Sequence, residues 1–211
     1  GMEGLLAVRP RYVVDASGDS EVVHSLGGAT DLGRDGVVQT PTFMPVGTRA
    51  TVTGLAPHDV AQSGAQVLLA NTYHLMLRPG PEVFTRVGGI HGFMNWPGPV
   101  LTDSGGYQIF SLPHDRTINE NGAQFRSYVD QRKHLLSPEK SIAMQTAIGS
   151  DIMMVLDVCV DSTSDEGTTR AAMERTHRWA MRSLAARTNS ARKVARSGGA
   201  AGAPLTASLS P

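Results

Sequence analysis

The sequence predicts an α/β fold: a parallel sheet covered by helices, with a small antiparallel β excursion. Three observations predict it. Short apolar runs without polar alternation recur near residues 47–53, 66–70, 99–102 and 151–156, as in strands buried on both faces. Helical signals separate them. Residues 117–136 carry the hairpin signal Asn121-Gly122 between them. A doubly wound sheet and a (β/α)8 barrel both satisfy this pattern.

The elements follow in order. Pro57 opens a short helix ending near Gly64, because proline suits a first helical turn and glycine a stop. Gln66-Val-Leu-Leu-Ala70 is a buried strand ending at Asn71-Thr-Tyr-His74. Pro81 opens a second helix, closed by Gly88-Gly89, and Pro99-Val-Leu-Thr102 is a strand running into Asp103-Ser-Gly-Gly106. Ser137-Pro138-Glu139 starts a helix that reaches Ile148 and stops at Gly149. Asp151 to Leu156 is a further strand, ending at Asp157. Thr163-Ser-Asp-Glu166 reads as a capping box, and behind it Ala172, Met173, Thr176, Trp179, Ala180 and Leu184 recur at helical spacing.

Three segments are expected: an atypical N-terminal stretch over 1–28, a structured body over 29–187, and a disordered tail over 188–211. The tail is rich in Ala, Gly, Ser and basic residues and holds almost no large apolar side chains. Lys plus Arg equals Asp plus Glu at 19 each, so net charge carries no signature of a nucleic-acid partner. Cys159 is the only cysteine, which excludes an internal disulfide and a Cys-rich zinc site. The seven histidines show no metal-ligand spacing, and no metal is assigned. With no apolar run of membrane-spanning length, the expectation is a soluble, cytoplasmic chain without a membrane partner.

The chemistry-bearing residues gather at strand carboxyl ends, where both parallel architectures place their sites. Asp103 and Asp157 there can act as acid and base, as nucleophile and base, or as a ligand clamp; capping of local turns explains them equally. In Asp103-Ser-Gly-Gly-Tyr-Gln108 the glycines let backbone approach a ligand, Tyr107 offers a stacking face, and Gln108 a two-sided amide. A tight turn with one buried tyrosine accounts for the same string. Cys159 can be a nucleophile, a pocket wall or, as expected from the lack of a nearby histidine, an inert buried thiol.

Four strings together resemble the bacterial tRNA-guanine transglycosylase family. They are Thr40-Pro-Thr-Phe-Met-Pro-Val-Gly-Thr48, Asn71-Thr-Tyr-His-Leu75 with Leu77-Arg-Pro-Gly80, Leu101-Thr-Asp-Ser-Gly-Gly-Tyr-Gln108, and Gly149-Ser-Asp-Ile-Met-Met154 running to Asp157 and Cys159. The resemblance spans about residues 29–187 and implies part of a (β/α)8 TIM barrel. It implies exchange of guanine at the wobble position of tRNA with a GUN anticodon for 7-aminomethyl-7-deazaguanine, a queuosine precursor, through a glycosyl-enzyme intermediate.

By resemblance, Asp103 is the general acid/base, Asp157 clamps the donor edge of the purine, and Tyr107 forms one face of the base sandwich. Ser104, Gly105, Gly106, Gln108 and Cys159 shape the pocket, and Asn71 supports Asp103. The family's attacking aspartate and its zinc ligands match nothing in this sequence. A truncated chain without bound zinc is therefore expected, and a catalytically inactive purine- or tRNA-binding fragment is the alternative. An open parallel edge would favour self-association, a homodimer included. Tyr12 to Ser20 also resembles a stretch of FAD-dependent oxidoreductases, without a Gly-x-Gly-x-x-Gly fingerprint.

Overall fold

The computed structural model describes residues 30–31, 37–38, 42–111 and 115–198. The expectations for residues 1–28 and for 199–211 lie outside the described residues. The fold is mixed α/β, as its patterning predicts, and no closed barrel forms among the described residues.

A two-residue antiparallel pair, β1 (Thr30–Asp31) and β2 (Val37–Val38), precedes the body. Three parallel strands build the central sheet: β3 (Leu68–Ala70), β4 (Val100–Thr102) and β8 (Ile152–Met153), in that spatial order. Their register is Leu69 beside Leu101 and Leu101 beside Ile152. The run near 47–53 is not a strand. Only a single parallel bridge joins Val46 to Leu69, with Gly47 N donating to Leu69 O at 2.7 Å, and turns follow at once. Leu68, Ala70, Val100 and Thr102 are buried on one side, whereas Leu69, Leu101 and Ile152 are half-buried and Val46 exposed.

Helices cover the buried side. They are α1 (Pro57–Gln62), α2 (Thr72–Leu77), α3 (Pro81–Val87), α4 (Ile90–Met94) and α6 (Pro138–Ile148), while α5 (Gly106–Ser111) and α7 (Glu166–Gly198) pack in a second core. Leu68, Val100, Leu75, Phe84, Ile90, Trp96 and Ile148 form one continuous apolar core. The end of α6 follows from local chemistry. Ser137 Oγ accepts the Lys140 amide, Pro138 occupies the first turn, and Gly149 takes the left-handed φ of 78° that a helix stop needs.

The antiparallel excursion is β5 (Arg116–Asn119), β6 (Gly122–Arg126) and β7 (Lys133–Leu136). Its tight turn is Glu120-Asn121, one residue earlier than the sequence signal, because Gly122 already pairs with Asn119. Phe125 and Leu136 pack with Tyr73, Leu156 and Trp179 in a second core. Helix α7 clasps this sheet: Trp179 Nε1 donates to Glu120 O at 3.0 Å, and Arg182 reaches both Glu139 oxygens at 2.7 and 2.8 Å.

Three details of α7 differ from expectation. Asp165 caps it, accepting the Thr168 amide at 2.9 Å, while Thr163 turns back to Asp161. Ala172, Trp179 and Ser183 form the buried stripe, leaving Met173 and Leu184 exposed. The helix continues to Gly198, past Thr188, where loss of apolar residues suggested a disordered tail. No helix among the described residues is long and apolar enough to cross a membrane.

Candidate active site

Strand register decides which residues meet. Because β3 and β4 are parallel and in step, Asn71 and Asp103 leave the sheet side by side at its carboxyl edge. The Asn71 amide donates to Asp103 Oδ2 at 2.5 Å, and Gln108 Nε2 donates to the same oxygen at 2.9 Å. Thr72 N donates to Oδ1 at 2.8 Å, and its hydroxyl donates to the Asp103 carbonyl. Burial pushes the Asp103 carboxyl above the usual carboxylate range, against the opposing pull of the Asn71, Thr72, Gln108 and Gly105 donors. A carboxyl whose proton is held more tightly by burial suits proton exchange.

Asp157 follows the neighbouring strand and is tied to this loop. Ser104 Oγ donates to Asp157 Oδ1 at 2.9 Å and accepts the Gly106 amide at 3.1 Å. Cys159 Sγ donates to the other oxygen at 3.3 Å. Burial, and after it the Asp157 charge, pushes the Cys159 thiol up to about 12, so it stays protonated and is no nucleophile. Val158 N donates to Thr176 Oγ1 of α7 at 3.0 Å, anchoring the Asp157 loop to that helix.

The two glycines are there for space. Gly105 has φ +86°, and a Cβ on Gly106 would stand 2.5 Å from Asp157 Oδ1 and 2.9 Å from its carbonyl oxygen. Tyr107, in the first turn of α5, is 63% exposed, so it is not the buried tyrosine of a plain turn. Its ring lies tilted 6.4 Å from Phe110 and leaves a face open. Gln108 Oε1 is buried without a hydrogen-bond partner among the described residues, leaving an acceptor free beside Asp103.

All nine predicted site residues thus belong to the carboxyl-edge loops of β3, β4 and β8 and to the start of α5. Thr72 was missed, although it stands directly after Asn71 at the strand end. The arrangement offers two carboxylates, a glycine-lined backbone and an aromatic face, which suits a flat heterocycle with donor groups on one edge. At the opposite edge, His91 Nε2 lies 3.0 Å from Asp151 Oδ2. A cavity of about 570 Å³ beside it is lined by Pro57, His58, Ala61, His91, Asn95, Trp96 and Pro97, none of them a predicted site residue. No group of three or more His, Cys, Asp or Glu side chains among the described residues is placed to hold a metal ion.

The family profile described as queuine tRNA-ribosyltransferase matches residues 27–204. A queuine tRNA-ribosyltransferase of Desulforudis audaxviator is 53% identical over 151 residues, covering 72% of this chain and 41% of that protein. One of Thermus thermophilus is 54% identical over 153 residues, covering 72% of this chain and 40% of its own length. One of Herpetosiphon aurantiacus is 51% identical over 154 residues, covering 72% and 39%. The chain spans about two-fifths of the length of these curated relatives. With the profile matching most of its length, the chain belongs to the queuine tRNA-ribosyltransferase family.

Proposed function

We propose that this chain carries the purine-reading and proton-handling part of a tRNA-guanine transglycosylase. The reaction is exchange of guanine at the wobble position of tRNA with a GUN anticodon for 7-aminomethyl-7-deazaguanine. One observation carries the reading: Asp103, directly after β4, and Asp157, in the loop after β8, are bridged by Ser104 and separated by close-packed glycine backbone.

Asp157 accepts from N1–H and the exocyclic amine of guanine, a pairing that a two-oxygen acceptor suits. Asp103, its acidity weakened by burial, gives a proton to the departing base and takes one from the incoming base. Tyr107 stacks on the base, Asn71 and Gln108 hold Asp103, and the protonated Cys159 lines the wall. By the family resemblance, the aspartate that attacks C1′ comes from the part of the relatives beyond the matched segment.

The central sheet is the opening portion of a (β/α)8 barrel spanning roughly residues 29–187. Val46, β3, β4 and β8 lie in sequence order without the reversal that a doubly wound sheet requires. The apolar residues on its second side are only half-buried, which favours pairing with a second copy.

Adenine provides the test, because it presents a bare N1 acceptor where guanine presents two donors. Saturable binding of guanine, competed by 7-aminomethyl-7-deazaguanine and not by adenine, is expected. Equal affinity for adenine and guanine would overturn the reading.

A further inference from the structure

Behind the loops that bear Asp103 and Asp157 lies a second polar system, centred on a buried side chain of α6. Gln145 of α6 is 0% exposed, among the helix's buried residues Ser141, Ile142, Met144 and Ile148. Its Oε1 accepts from Thr102 Oγ1 and from Met154 N, both at 2.9 Å. Its Nε2 donates to Met154 O at 2.8 Å and to Ser141 Oγ at 3.1 Å. Ser141 then donates to Ser104 O at 2.8 Å, and Thr102 Oγ1 shares a 2.7 Å bond with Ser150 Oγ. Every donor and acceptor of the carboxamide is used.

The contacted residues are telling. Thr102 immediately precedes Asp103, and Ser104 immediately follows it. Met154 stands just past the last paired residue of β8, on the approach to Asp157. There the backbone supplies one bond between the strands, Met154 N to Thr102 O at 3.2 Å. Gln145 adds a bond to each side of the Met154 peptide and one to Thr102, extending the tie beyond the paired residues. An apolar side chain would fill the same space without fixing any distance, and burying an amide is costly unless each polar atom is paired.

We infer that Gln145, acting with Ser141, is a positioning residue that sets the offset between Asp103 and Asp157. The inference rests on the roles proposed above for those two carboxylates. It concerns no ligand contact, since α6 lies behind the sheet.

Amide exchange on the 211-residue chain tests it without ligand. The Thr72 and Gly106 amides report on the site, since they bond to Asp103 Oδ1 and Ser104 Oγ. The Ser127 amide, bonded to Arg132 O at 2.8 Å in the connection between β6 and β7, is the reference. In Gln145→Met the two site amides should exchange about tenfold faster while Ser127 holds its rate. Ile148→Val, which loosens the same helix through its apolar core, should show no such split. Ser141→Ala cuts the link to Ser104 and one of the two Gln145 Nε2 bonds, leaves the Gln145 bonds to Thr102 and Met154, and should accelerate Gly106; it decides the matter if Gln145→Met does not fold. Guanine titration adds a second reading, with affinity for Gln145→Met lowered about tenfold or more. Unchanged site amides, uniform acceleration of all amides, or wild-type guanine affinity in Gln145→Met would each overturn the inference. If the wild-type chain binds no guanine, the purine assignment falls, and the exchange comparison still judges the positioning role.

Discussion

A Cβ placed on Gly106 would lie 2.5 Å from Asp157 Oδ1, so the loop after β4 is shaped against the carboxylate after β8. Gly106→Ala must push Asp157 away or open the loop. It should cost about 1–3 kcal/mol of stability, as overpacking does, and abolish purine binding. Urea denaturation and guanine titration check the two effects separately. An alanine variant of wild-type affinity would show that Asp157 is free to move.

Asp103 answers to pH with a defined sign. Its folded carboxyl titrates above the ordinary range, so the folded state holds a proton that the unfolded state releases. Its contribution to stability is present below the unfolded carboxylate pKa and is lost as pH rises through the folded one. Asp103→Ala should remove that decline from the pH-stability curve. It also leaves the Asn71, Thr72 and Gln108 donors unmatched, at about 1–3 kcal/mol for each that stays dry. In the exchange reaction, losing the acid/base should lower turnover about 10²–10⁴-fold. Steady-state kinetics of guanine incorporation into tRNA measure it, in a protein that carries this segment together with the attacking aspartate.

The sequence exposed elements whose boundaries are set locally. Helix α6 was legible to the residue because Ser137, Pro138 and Gly149 each satisfy a backbone demand of a helix end. The ends of β3 and β4, next to Asn71 and Asp103, were legible because apolar runs stop there, whereas β8 stops at Met153 although its apolar run continues to Leu156. What depends on partners distant in sequence was not. Gly122 looked like half of a turn, yet its Cβ would meet Leu136 O at 2.4 Å; the glycine serves close strand approach. Thr163 looked like a cap, but Asp161 holds its hydroxyl and Asp165 takes the role. Gln145 carries the Thr102–Met154 tie from a helix face where only its spacing from Ser141 hinted at a buried polar row.

Arg182 reaches across to both oxygens of Glu139 and, with Ser137, holds that carboxyl down to about 2. The depressed value means stability present above the ordinary carboxylate pKa of 4.5 and lost as pH falls toward 2. The pair is partly solvated, with side chains 33% and 46% exposed, so screening limits it. Its worth is about 0.5–1 kcal/mol. Arg182→Ala should erase this acid-limb loss in thermal melts between pH 4.5 and 2; an unchanged acid limb would contradict the assignment.

Cys159 should behave as a protonated thiol. With its pKa pushed up to about 12 and its side chain partly buried, reaction with a thiol-specific disulfide reagent at pH 8 should be slow. A rate about a hundredfold or more below that of free cysteine is expected. Cys159→Ser keeps a donor toward Asp157 and should preserve guanine affinity within a few-fold, whereas rapid labelling would contradict the buried thiol.

The clamp assigned to Asp157 is tested most directly by a ladder of purines titrated into wild type and Asp157→Ala. Guanine offers N1–H and an amine at C2, hypoxanthine N1–H alone, and adenine, with a bare N1 and its amine at C6, offers neither of these two donors. Wild type should bind them in that order, each lost charge-assisted bond costing about 1.5–3 kcal/mol. Asp157→Ala should bind all three weakly and alike. A ladder that survives intact in Asp157→Ala would place the purine edge elsewhere and contradict the account.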